Sequence, residues 1–284
     1  MSVKLIECPR DAMQGMEAFI PTDVKARYIN HLLTVGFDTI DFGSFVSPKA
    51  IPQLKDTADV LSKLDLSKTS TKLLAIVANR RGAEDASHFD PIDFLGYPFS
   101  ISETFQKRNT NATIDQSLKR VEEMQSICGK SNKKMLVYIS MAFGNPYGDP
   151  WSGELAAHWV ERLHEEIGID HIALADTVGV SDVSNIKELF QTMIPAFPSI
   201  EVGAHLHTRP SDAHSKVLTA YTAGCRRFDS AMKGYGGCPM AEDELVGNLA
   251  TEQLISTLKE ETSISINEDA FSEALILADK TFPI

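Results

Sequence analysis

Apolar residues along this chain follow two alternating rhythms. Short, dense apolar runs occur at 3–8, 39–44, 72–78, 97–102, 134–141, 171–175, 200–207 and 226–232. Between them the apolar positions shift to helical spacing, as over 23–35, 114–128, 154–166 and 182–193. In the last of these, Val183, Ile186, Leu189, Phe190 and Met193 recur at the three- and four-residue steps of one helix face. Thr22 or Asp23, and Ser181 or Asp182, stand where a side-chain oxygen can accept the unpaired N–H groups that open a helix. The third unit is the weakest, because 79–96 holds a poor helix broken by Pro91.

Strands that alternate with helices predict a parallel sheet. Eight units in 284 residues suit an α/β fold of the closed (β/α)8 TIM-barrel type, which typically takes about 250 residues. The competing fold is an open, doubly wound sheet, which normally shows a glycine-rich phosphate turn after its first strand. Here the first strand runs into Pro9-Arg10-Asp11-Ala12-Met13-Gln14 instead. The expectation is one TIM-barrel domain over 1–284, with 233–284 forming an active-site loop and a C-terminal helical part.

Composition narrows the function classes. The chain is 43% hydrophobic and 23% charged, as ordinary globular proteins are. Its net charge of -12 speaks against nucleic acid, whose phosphates need a basic surface. No apolar stretch approaches the roughly 20 residues of a membrane span, and no targeting segment is visible. Cys8, Cys128, Cys225 and Cys238 are scattered without a CxxC pair, which predicts reduced thiols in the cytoplasm. Cys238 differs from the other three in sitting in a glycine-rich loop.

Active sites in TIM barrels lie at the C-terminal ends of the strands, so polar residues that close an apolar run are the candidates. His205 and His207 lie two apart at the end of the seventh run. On a strand they point to the same face, the arrangement for gripping one divalent metal. Arg10 and Asp11 follow the first run, Asp41 lies in the second, and Asp176 ends the sixth. After the eighth come Gly234-Tyr235-Gly236-Gly237-Cys238-Pro239 and then Gly247-Asn248-Leu249-Ala250-Thr251-Glu252. Each has a plainer explanation. Arg10 and Asp11 could be a surface ion pair, Asp41 and Asp176 could cap loop backbone, and Asn248 could be a helix N-cap. Five different strand ends carrying such residues together favour a site.

These motifs, with Ser44-Phe45-Val46-Ser47-Pro48-Lys49, Ser102-Glu103 and Asp176-Thr177-Val178-Gly179-Val180, resemble the hydroxymethylglutaryl-CoA lyases, metal-dependent barrels, over about 3–260. The Arg-Asp and HxH elements are shared with isopropylmalate synthases and oxo-acid aldolases. The GxGGCP loop and SFVSPK point to the lyase branch. The resemblance implies Asp11, His205, His207 and Asn248 as ligands of one Mg2+ or Mn2+. It implies Arg10, Asp41, Asp176 and Cys238 as catalytic, and Arg10 with Gln14 as substrate-binding. It further implies an acyl-CoA substrate, a homodimer, and cleavage of 3-hydroxy-3-methylglutaryl-CoA to acetoacetate and acetyl-CoA.

Several positions depart from the family pattern. Ala12-Met13 replaces Gly-Leu. Asp41 replaces a glutamate, withdrawing the carboxylate by about 1.5 Å. Thr208 replaces an aspartate, and the segment between Cys238 and Asn248 is one residue longer and carries Glu242, Asp243 and Glu244. These changes spare the implied metal ligands and touch the substrate side. They leave two alternatives: a related lyase or aldolase acting on another hydroxy acyl-CoA or hydroxy oxo-acid, and a metal-binding barrel subunit without turnover.

Overall fold

The computed structural model describes residues 2–237 and 246–282. Eight parallel strands close into a barrel in sequence order: β1 (Lys4–Glu7), β2 (Thr39–Ser44), β3 (Lys72–Ile76), β4 (Phe94–Ser100), β5 (Lys134–Ser140), β6 (His171–Asp176), β7 (Glu201–Leu206) and β8 (Arg227–Ser230). β8 pairs back onto β1, with Ile6 beside Asp229 and Glu7 beside Ser230. Around them run α1 (Pro9–Gln14), α2 (Thr22–Leu32), α3 (Thr57–Leu61), α4 (Arg80–Ser87), α5 (Glu103–Thr110), α6 (Ile114–Lys130), α7 (Gly153–Ile167), α8 (Val183–Ala196), α9 (Ala213–Thr222), α10 (Thr251–Glu261) and α11 (Glu268–Thr281). The closed (β/α)8 TIM barrel expected from the alternating pattern is the fold observed.

All eight expected strands form, with one substantial shift. β4 begins at Phe94, three residues before the expected start at 97, and continues through Gly96 and Pro98. Pro98 fits because the amide it lacks has no partner to lose. Gly96 O accepts from Val77 N, so alternate residues of β4 turn their peptide groups toward β3, which has already ended at Ile76. The weak third unit does hold a helix: Asn79 accepts from Gly82 N to start α4, which stops at Ser87, before Pro91. Two capping expectations are corrected. The N-cap of α2 is Pro21, and Thr22 instead donates its hydroxyl to Asp56. Asn248 is not a helix cap either, since α10 starts after Ala250. Asp182 does cap α8, accepting from Ser184 N and Asn185 N.

The core has two parts. The larger fills the layer between the barrel wall and the helices. The smaller consists of Leu74, Ile76, Phe94, Leu136, Tyr138 and Ala173, from β3 through β6. Strand alternation carries the inward face from Ile6 and Asp229 round to Asp41 and His205, so the remaining interior wall, Ile6 apart, carries charged and imidazole side chains. A bulge in β2 between Asp41 and Gly43 lifts that strand out of register with β3 just where the polar side begins. Gly43 is required there, because a Cβ would come within 2.5 Å of Thr57 Cγ2.

Candidate active site

Arg10 and Asp11 enter the barrel mouth because β1 turns at Cys8 directly into the short α1, where Pro9 favours the first helical position. Both are buried. Arg10 spans two carboxylates. Its Nε and Nη2 donate to Asp41 Oδ2 at 2.9 and 2.5 Å, and its Nη1 donates to Asp11 Oδ1 at 2.7 Å and to Gln14 Oε1 at 2.9 Å. Gln14 returns a bond to Asp11 Oδ1 at 2.6 Å. Four of the five guanidinium N–H groups are thus engaged among the described residues, which fixes the plane of the group.

His205 sits at the end of β7 with its two nitrogens separated in role. Nδ1 lies 3.2 Å from Asp229 Oδ2, and Nε2 lies 3.9 Å from Asp11 Oδ2. Asp229 is itself paired through Oδ1 with Arg227 Nη1 at 2.8 Å. His207 lies beside His205, their ring centroids 5.4 Å apart. Its Nδ1 is buried without a hydrogen-bond partner among the described residues. Asn248 is clipped to the same strand end by the bond from Leu249 N to Leu206 O and the bond from Thr208 N to Gly247 O. Its Nδ2 donates to Asp11 Oδ2 at 2.7 Å and to Tyr235 O at 2.9 Å, bonds that do not use the amide oxygen. Gly236, at φ +90°, makes this approach possible, since a Cβ would lie 2.6 Å from Asp11 O and 2.8 Å from Asn248 Nδ2.

The donor atoms of Asp11, His205 and His207 all lie within 4.8 Å of one another. A buried carboxylate, two imidazoles and an adjacent amide oxygen form a mixed N/O set suited to a divalent cation. The unpartnered His207 nitrogen fits that use, as does the Asp229 bond that turns His205 Nε2 toward Asp11.

Charge and burial oppose each other at Asp11, His205 and Asp41, and act together at His207. Burial works to raise the Asp11 carboxyl, but Arg10 and the two histidines outweigh it and hold Asp11 below the usual range. Burial likewise opposes charge on His205, and the Asp229 bond and charge overcome it, raising the imidazole. For His207, burial and the neighbouring His205 act together and bring it down to about 4, so it is neutral and free to bind a metal. Burial raises Asp41 to about 6 despite Arg10, and its Oδ1 has no partner.

The residues singled out in the sequence do not all meet on equal terms. Arg10, Asp11, Gln14, Asp41, His205 and Asn248 form one linked cluster, and His207 lies against it with its donor atom within 4.8 Å of those of Asp11 and His205. Asp176 reaches the mouth, but its oxygens are occupied: Oδ1 accepts from Val180 N at 2.8 Å, and Oδ2 accepts from Ser181 N at 3.0 Å with Lys216 Nζ 3.4 Å away. Cys238 and the acidic stretch Glu242, Asp243 and Glu244 lie outside the described residues. Sequence reasoning missed Asp229, Arg227 and Lys216. Asp229 is two residues from Arg227 on the eighth run, a spacing that marks one shared strand face without naming a partner.

Comparison with known proteins follows the same line. The family model HMGL-like matches residues 3–274. The hydroxymethylglutaryl-CoA lyase of Bacillus subtilis is 32% identical over 96% of this chain and 89% of its own length. The mitochondrial hydroxymethylglutaryl-CoA lyase of Bos taurus is 32% identical over 90% of this chain and 78% of its own. A crystal structure of the B. subtilis HMG-CoA lyase superposes with a TM-score of 0.91, at 29% identity, covering 99% of this chain and 94% of that one. An Acinetobacter baumannii HMG-CoA lyase in complex with coenzyme A and 3-methylmalate superposes at 0.89, with 30% identity and coverage of 99% and 91%. With this barrel, this cluster and these relatives, the chain belongs to the HMGL-like family, within its hydroxymethylglutaryl-CoA lyase branch.

Proposed function

We propose that this protein, a carbon–carbon lyase, cleaves 3-hydroxy-3-methylglutaryl-CoA to acetoacetate and acetyl-CoA. The observation that carries this is the placement of the Asp11, His205 and His207 donors against the Arg10–Asp41 pair, a metal cradle beside a fixed cation and a free carboxylate oxygen. Asp11, His205, His207 and Asn248 would hold one Mg2+ or Mn2+. Bound there, the ion would supply Lewis-acid polarisation of the substrate hydroxyl and help orient it.

The chain's own groups do the rest. Asp41 Oδ1 accepts the proton of the tertiary hydroxyl, a role that suits a carboxylate poised near pH 6. The carbon–carbon bond then breaks, its electron pair passing to the departing acetyl-CoA as an enolate while the hydroxyl carbon becomes the ketone of acetoacetate. Arg10, permanently charged and locked in plane, faces the enolate oxygen with its remaining N–H. Gln14 buttresses Arg10 and Asp11 and borders the substrate. The Cys238 thiol delivers a proton to the enolate carbon, and its proton and that held by Asp41 re-equilibrate with solvent. Asp176 keeps the loop after β6 in place against Lys216, which leaves the proton-accepting role to Asp41.

The same reading carries a homodimer in a reducing cytoplasmic setting, the latter supported by three buried free thiols, Cys8, Cys128 and Cys225. Among the described residues no helix is long and apolar enough to cross a membrane. The test is release of acetoacetate from hydroxymethylglutaryl-CoA by the purified protein with Mg2+ or Mn2+, alongside other hydroxy acyl-CoA and hydroxy oxo-acid substrates. Release that stops on metal stripping and returns on reloading supports the proposal. Metal-independent release, or preference for another substrate, overturns it. Cys238→Ala is expected to cost about 10²–10⁴-fold in rate in a folded protein.

A further inference from the structure

Glu7 closes β1 with its side chain on the outer, helix-facing side of the barrel wall, 1% exposed. Its carboxyl has two partners far apart in sequence. Oε1 accepts from Met232 N at 2.8 Å, and Oε2 accepts from the Thr251 hydroxyl at 2.6 Å. Thr251 Oγ1 also lies 3.0 Å from Ser230 Oγ. Met232 is where the chain leaves β8, and Thr251 is the first residue of α10. Between them lies the whole segment that carries Gly236, Cys238 and Asn248. Its two stems are already joined by backbone bonds, from Ala231 N to Leu249 O and from Thr251 N to Ala231 O. Glu7 adds a connection of another kind, joining both stems through one buried carboxyl to the strand that continues into Arg10 and Asp11.

We propose that Glu7 is a positioning residue, fastening residues on either side of the 232–251 segment, Met232 and Thr251, to β1 so that Asn248 is held against Asp11. Burial, with a smaller contribution from Glu252 and against the bonds from Thr251 and Met232, raises the Glu7 carboxyl to about 8, so it is mostly neutral near pH 7. A neutral acid keeps the same bridge: one oxygen accepts from Met232 N, while its O–H meets Thr251 Oγ1 and the threonine hydroxyl turns to Ser230 Oγ. A glutamine offers the same acceptor and donor at the same two points. The fastening rests on the lyase reading only for what the segment does in turnover, and can be measured without substrate.

The experiment uses the whole chain, stripped of metal, as the parent, Glu7→Gln, Glu7→Ala and Thr251→Val. Mn2+ binding is followed by titration, and amide exchange is read at Leu249 and Thr251, whose N–H groups bond Leu206 O and Ala231 O. Steady-state kinetics on the Mn2+-loaded enzymes then separate kcat from KM. Glu7→Ala is expected to weaken Mn2+ binding by about tenfold, speed exchange at both amides and lower kcat more than it raises KM. Glu7→Gln is expected to restore binding and exchange to values close to the parent's, which a requirement for charge alone would not allow. Thr251→Val, which removes one of the two bonds, is expected to fall between them, and it carries the test if the alanine variant does not fold. Parent-like Mn2+ binding and exchange in Glu7→Ala and Thr251→Val, or a glutamine variant as damaged as alanine, overturns the proposal. Absence of turnover in every protein, the parent included, would count against the lyase reading while the binding and exchange results still decide the fastening.

Discussion

The two sides of the barrel interior are built on opposite principles. From β3 to β6 the inward face is apolar, filled by Leu74, Ile76, Phe94, Leu136 and Ala173, with Tyr138 at its border. From β7 through β8 and β1 to β2 it is a chain of charges: Arg227 to Asp229, Asp229 to His205, His205 toward Asp11, Asp11 to Arg10, and Arg10 to Asp41. Burying an ion costs several kcal/mol even after relaxation, so a buried charge is tolerated where it is paired. Here the pairing is nearly continuous, and its loose atoms are informative. Asp41 Oδ1 and His207 Nδ1 are buried without partners, at the two places where substrate chemistry and a cation are expected. The apolar side contributes as well. A dry wall facing the charges keeps the local dielectric low and strengthens each interaction across the mouth.

If this division holds, substitutions on the two sides should fail differently. The largest effect belongs to Asp41→Asn, expected to lower kcat/KM by about 10²–10⁴-fold with little change in Mn2+ affinity. As a base, Asp41 works when ionised, so the parent should lose activity as pH falls through about 6, and the asparagine variant should lack that limb. A pH–rate profile in which the limb persists in the variant would remove Asp41 as the base. Next, Leu136→Ala on the apolar side is expected to cost about 2–5 kcal/mol of unfolding free energy while leaving Mn2+ affinity intact, as denaturant melts and metal titration would show. A parallel loss of metal binding would mean the two sides are not separable. The smallest effect is expected from Asp229→Asn, which keeps the packing but no longer sets the His205 tautomer. Mn2+ binding should weaken by about 10–100-fold, and the thermal midpoint should fall as well, because buried Arg227 loses a charged partner.

The repeating architecture was legible because a parallel barrel needs a nearly continuous apolar strand and an amphipathic helix in each unit. Where Gly96 and Pro98 interrupt β4, that signal fails for a tertiary reason: the early end of β3 removes the penalty proline normally carries in a sheet. The HxH pair was legible because both histidines and their alternation are local. The Asp229–Arg227 support was not, since two charged residues on a strand reveal neither a partner on β7 nor the interior to which they point. Asp176 shows the limit from the other direction. It stands at the expected strand end, yet its bonds to Val180, Ser181 and Lys216 depend on the path of the following loop and on a lysine 40 residues away. The bulge that sets Asp41 at the edge of the charged side is equally invisible in a single strand, because register is a property of two.

Tyr235 joins parts of the chain that are made at different times. Its carbonyl holds Asn248, while its hydroxyl reaches Asp279 on α11, which also receives the Lys233 ammonium. α11 in turn lies against α2, where Asn267 N bonds Val35 O and His31 contacts Ala270 O. During synthesis Arg10 and then the two histidines emerge before Asp279 does, and this buttress cannot form until the residues up to Asp279 have left the ribosome and folded back. A nascent barrel therefore exposes its donors before it can hold them in their final arrangement, and assembly of the centre is tied to completion of α11.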